Sequence, residues 1–79
     1  MNEAMNAILT RLIREDRPVR FEVRHMDWLN RYAVTYRFAD ESGIRRTVID
    51  DLFVDDAQRL VDQGNAALGS LLSRPKYYR

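Results

Sequence analysis

Apolar side chains recur at Met5, Ile8, Leu9, Leu12 and Ile13, the spacing of one buried stripe along an amphipathic helix. Asn2 stands where a helix N-cap is wanted, and Arg11 and Arg14 suit the negative end of the helix dipole. Pro18 disfavours helical geometry at Arg17 and closes the element. The period then changes to two. Val19, Phe21, Val23 and His25 face one way and Arg20, Glu22, Arg24 and Met26 the other, which is a half-buried strand. The alternation resumes as Tyr32, Val34, Tyr36 and Phe38 against Ala33, Thr35, Arg37 and Ala39.

Asp40-Glu41-Ser42-Gly43 reads as a type I turn closed by a left-handed glycine, a common way of joining two antiparallel strands. A regular third strand would then place Ile44, Arg46 and Val48 inward, with Arg45, Thr47 and Ile49 outward. A second helix is expected from Asp55, whose spacing to Gln58 is that of a capping box. Its buried stripe would run through Ala57, Leu60, Val61, Gly64, Ala67, Leu68, Leu71 and Leu72, with Pro75 ending it. Gln63-Gly64-Asn65 leaves open a break in that helix, with Asn65 capping a second segment; otherwise the bare Gly64 lets it approach the sheet closely. The expected architecture is a two-layer α+β domain of order α-β-β-β-α over residues 1–74, with a basic aromatic tail at 75–79. Both helices should cover one face of a three-stranded antiparallel meander. Strands buried on both faces would read as continuous apolar runs, and these alternate.

Seventy-nine residues permit one domain with a thin core, and 46% hydrophobic with 32% charged residues is globular composition. No secretory signal or membrane span is visible, so a soluble, cytoplasmic protein is expected. The absence of cysteine excludes disulfides, a thiol nucleophile and thiolate zinc sites. The net charge of +1 hides an uneven distribution. The open sheet face should gather Arg20, Arg24, Arg37 and Arg45 around Glu22, with Arg20 and Arg37 as the cross-strand flanks of that glutamate. Between Asp40 and Asp62 there are seven carboxylates against three arginines, and Asp50, Asp51, Asp55 and Asp56 form an acidic patch.

Groups for catalysis are scarce. His25, the one histidine, lies on the inward face at a strand end, opposite Tyr32, where a hydrogen-bonded structural role is expected. Asp27 alone makes no metal site, and the serines have no evident base beside them. Asp55 and Asp56 diverge by about 100° on a helix and form no acid pair. The three glycines are scattered, so no phosphate-cradling loop exists. No enzyme activity, cofactor or metal is expected. Trp28, Tyr77 and Tyr78 fall outside the core periodicity and are candidate aromatic anchors.

The element order resembles that of double-stranded-RNA-binding domains, which grip phosphates with lysines at the start of the second helix. Here that stretch is Asp55-Asp56-Ala57-Gln58, which would repel phosphate, so kinship is rejected. A small toxin family of the same topology carries a glycine before its inner-strand histidine; Val23-Arg24-His25-Met26 has none. In size and lack of catalytic groups the chain is similar to phage-borne inhibitors such as anti-CRISPR proteins, without a shared motif. The resulting expectation is a non-enzymatic interaction module whose acidic patch occupies a nucleic-acid-binding surface of a larger complex. The alternatives are nucleic-acid binding by the arginine face and a homodimer built on exposed strand edges.

Overall fold

The computed structural model describes residues 2–15, 17–27, 30–41 and 43–72, the last three without their side chains. Its elements are α1 (Glu3–Glu15), β1 (Val19–His25), β2 (Tyr32–Phe38), β3 (Arg46–Leu52) and α2 (Val54–Leu72), an α+β arrangement in the expected order. The Asn2 side chain caps α1: its Oδ1 accepts from the backbone N–H of Ala4 at 2.8 Å and of Met5 at 3.3 Å. These are donors the first turn leaves without intrahelical partners. The expected capping box does not form on α2. The helix begins one residue earlier, at Val54, and the Phe53 carbonyl already accepts from Ala57 N–H. Asp55 therefore sits inside the first turn, and Gln58 donates to Asp62 instead.

The sheet is antiparallel in the order β1-β2-β3, and the β1–β2 register is regular from Val19 opposite Phe38 to His25 opposite Tyr32. β3 is not regular. Thr47 pairs with Thr35, Ile49 with Val34 and Leu52 with Tyr32, so β3 spends one extra residue at each step. The first irregularity turns both Val48 and Ile49 toward the core, which corrects the expectation that Ile49 faces outward. The second contains Asp51 in the left-handed region, φ +58°. Aspartate tolerates that region because its short polar side chain bonds locally. Gly43 has φ +78°, as a left-handed residue closing the hairpin requires. Ile44, expected to point inward, precedes β3 and is 48% exposed.

Both helices lie on one face, α2 against β1 and β2 and α1 against β3 and α2. Met5, Leu9 and Leu12 of α1 meet Phe21, Val34, Tyr36 and Phe38 of the sheet and Ala57, Val61 and Leu68 of α2. Tyr36 stands edge-on to both Phe21 and Phe38, the favourable geometry for aromatic quadrupoles. Ile13, assigned to the buried stripe, is 44% exposed, while its neighbour Leu12 is buried, so the stripe is narrower at this end of α1 than its spacing implied. α2 runs unbroken through Gly64, which is buried against Met5 and Phe21. Among the described residues no helix is long and apolar enough to cross a membrane.

Candidate functional site

The alternation of β1 and β2 puts Arg20, Glu22, Arg24, Ala33, Thr35 and Arg37 on the face that the helices leave open. Arg20 lies directly opposite Arg37, and Glu22 opposite Thr35. Glu22 is held by Arg37 at 3.1 Å, as expected, and by Arg45 at 3.4 Å in the place expected of Arg20. The diagonal places Arg37 within reach, and Arg45 arrives from the far side of β2. Arg20 and Arg24 have no ion-pair or hydrogen-bond partner for their guanidinium groups among the described residues.

At the β2–β3 hairpin, carboxylates counted as acidic surface are neutralised. Arg17 donates to Asp40 and to Glu41, each at 2.8 Å, and Arg46 donates to Glu41 at 3.2 Å. The Arg17 guanidinium also lies over the Phe38 ring, 3.7 Å from its centroid, with Arg46 above the same ring at 5.3 Å. The hydrogen bonds from Arg17 are the first cause holding both carboxyls below their ordinary range, and they raise Arg17 in turn. This explains how Arg46 occupies an inward position. Its stem packs and one nitrogen reaches Glu41, while its other terminal nitrogen is buried without a hydrogen-bond partner among the described residues.

The four predicted acids are divided by the structure. Asp50 lines a cleft of about 240 Å³ with Arg24, His25 and Thr47 on the open side of the sheet. Asp51 pairs with Arg31 at 3.6 Å, and Asp56 with Arg59 at 3.2 Å one turn along α2. The Asp50 and Asp55 carboxylates have no partner among the described residues. Between the acids lie two residues that the sequence reading passed over: Phe53 and Val54, 59% and 46% exposed. The Arg31 guanidinium bridges this corner, stacking on the Phe53 ring at 4.2 Å while reaching Asp51. The available signal was an aromatic residue between two elements, belonging to the periodicity of neither.

The edge of β1 is not free at its centre. Asn65 of α2 accepts from Phe21 N–H through Oδ1 at 2.9 Å and donates through Nδ2 to Phe21 C=O at 3.0 Å. A single side-chain amide thus satisfies both groups that a neighbouring strand would have used. The β3 edge carries the two irregularities and the left-handed Asp51, which also work against regular pairing. His25 is opposite Tyr32 as expected, but it is exposed and packs ring against ring at 4.9 Å rather than being hydrogen-bonded in the core. Among the described residues no cluster of three metal-ligating side chains converges. Trp28, Tyr77 and Tyr78 lie outside the described residues. No family model, curated protein or solved structure matches the chain.

Proposed function

We propose that this chain is a non-enzymatic protein-interaction module that docks through the corner joining β3 to α2. The observation that carries the reading is the exposed Phe53–Val54 pair set among Asp51, Asp55 and Asp56. Interfaces concentrate their energy in a few apolar or aromatic anchors surrounded by polar groups that exclude water. Phe53 has the makings of such an anchor. Its ring is held by Arg31, so little side-chain freedom is left to lose on binding.

Asp51 and Asp56 have arginine partners within the chain, which leaves the Asp55 carboxylate to be met on binding; the partner's chemistry is then an apolar socket with lysine or arginine at its rim. Such rims are typical of surfaces that handle nucleic acid. The module would act by occupying that surface, as phage-borne inhibitors do. Asp50 is not part of this site, because it faces the cleft beside Arg24.

The test is capture of partners from nuclease-treated native extract by the wild-type chain, by Phe53→Ala and by Asp55→Lys/Asp56→Lys. Phe53 is mostly exposed, so truncating it should cost the fold no more than about 1 kcal/mol, the worth of its contact with Arg31. Loss of the same partner in both variants is the expected outcome. Phe53→Ala should melt near the wild type and the double lysine variant lower, by the dipole cost of two cations in the first turn of α2, but still cooperatively. A partner retained equally by all three chains would remove the corner from consideration.

A further inference from the structure

The open face carries a second feature, independent of the docking corner. The register sets Arg20 opposite Arg37, and Arg45 joins them through the carboxylate of Glu22, which it shares with Arg37. Three guanidinium groups at one end of the sheet thus have one carboxylate between them. Like charges directly opposite on neighbouring strands are destabilising unless an anion lies between or above them. Glu22 relieves Arg37 and Arg45, while Arg20 is exposed and finds no partner among the described residues.

Arg20 and Arg37 together line a cleft of about 440 Å³ with Pro18, Ala39 and Glu41. The carboxylate in that cleft is already held by Arg17 and Arg46, so it does not complete Arg20. Pro18 has no N–H, and its carbonyl is taken by Ala39 N–H at 2.9 Å. What remains is a planar fork on Arg20 beside Arg37, with an excess of about two positive charges in the row; Asp62 of α2 lines a second cleft with both arginines but makes no ion pair with either.

We infer that Arg20 and Arg37, with Arg45 behind them, form a binding site for a phosphate group. A phosphate monoester carries about −1.5 to −2 at neutral pH and offers oxygens matched to the guanidinium fork. Either a free phosphate or the sugar-phosphate backbone of a nucleic acid presents this group. The backbone engages more than one cation, and Arg24 is available four residues along β1, about 13 Å away.

The experiment titrates the full chain at low salt with inorganic phosphate and, separately, with a 12-nucleotide single strand, following arginine side-chain NMR signals and heat of binding. Arg20→Gln should weaken binding of whichever probe is taken by about tenfold or more, the effect of losing a bond to a charged group. Arg14→Gln is the control. Its guanidinium on α1 likewise has no partner among the described residues, so it reports non-specific attraction. Saturable shifts with inorganic phosphate alone support the site and name free phosphate as its ligand. Tighter binding of the oligonucleotide, with a salt dependence reduced by about one unit in Arg20→Gln, supports the site and names the nucleic-acid backbone. Absence of binding to both probes would overturn the inference, as would equal weakening by Arg20→Gln and Arg14→Gln. Neither result would bear on capture of a protein partner through Phe53.

Discussion

Gly64 and Gly69 lie on the same helix and have opposite surroundings, so replacing each by alanine separates helix propensity from packing. A methyl group on Gly64 would sit 2.7 Å from Met5 Cε and 2.7 and 2.9 Å from Phe21 Cδ2 and Cε2. Carbon atoms in contact prefer about 3.5–4.0 Å, so three atoms must give way. Met5 Cε ends a flexible chain and can swing. The Phe21 ring cannot easily do so: it is 1% exposed, and its backbone is tied to Asn65 on the same turn of α2. Overfilling a packed core costs about 1–3 kcal/mol. Alanine returns about 1 kcal/mol through helix propensity, leaving a net loss near 1 kcal/mol. At Gly69 nothing lies within 4 Å, so the propensity gain of about 0.5–1 kcal/mol stands alone.

The two variants should therefore differ by about 2 kcal/mol, which for a domain of this size corresponds to about 8–16 °C in melting temperature. Thermal and urea unfolding followed by circular dichroism would measure it. Gly69→Ala should melt above the wild type and Gly64→Ala below it. A Gly64→Ala chain that melts with or above Gly69→Ala would refute the close approach of α2 to β1, and with it the placement of Asn65 on the β1 edge.

Two further outcomes rest on single contacts. Asn65→Ala removes two hydrogen bonds of about 0.5–1.5 kcal/mol each and regains part of that in helix propensity, for a net loss of about 1–2 kcal/mol. Asn65→Asp should be no better, since its second oxygen faces the Phe21 carbonyl; equal stability of Asp and Asn in urea would show that the amide donor is idle. For the hairpin cluster, the Asp40 and Glu41 carboxyls lie below their ordinary values of 3.8 and 4.5 in the folded chain, chiefly through bonds from Arg17. Stability from this source is present above those ordinary values and is lost as pH falls through the lower folded ones. The gap in urea midpoint between wild type and Arg17→Gln should accordingly narrow below about pH 4, and a constant gap down to pH 2 would dismiss the ion pairs.

The strands β1 and β2 were legible because each spends one residue per pair, so alternation alone assigns every side chain to a face. β3 was not, because two extra residues enter it and the composition Val48-Ile49-Asp50-Asp51 carries no mark of where. That misassigned Ile49, and it also separated Asp50 from the acids grouped with it. The cap at Asn2 was readable from residue type and position, whereas the start of α2 depended on choosing among several polar residues after Leu52. Asn65 was visible only as a helix residue or as the cap of a segment beyond Gly64. An amide reaching across to a strand 44 positions earlier leaves no local trace. Of the partners expected for Glu22, Arg37 was legible from the β1–β2 ladder, whereas Arg45 was not, because it stands just before the irregular β3 and reaches in from the far side of β2.

These corrections change how the charge is distributed. The sequence suggests a basic face and an acidic corner, but the unpaired and shared charges sort chiefly along the strand direction. Arg20, Arg37 and Arg45 sit at the Phe38 end of β2, while Asp51, Phe53 and the start of α2 follow from the pairing of Leu52 with Tyr32 at the other end. From Tyr32 to Arg37 is five residues of strand, about 17 Å. The screening length at 0.1 M salt is about 10 Å, so charge changes at one end are felt weakly at the other. Residues that far apart with no shared partner also contribute additively to stability. A chain carrying both Arg20→Gln and Phe53→Ala should then lose each binding activity by the same factor as the single variants do. On the two proposals made above, the ends would serve two ligands independently, neither site needing the other to be filled.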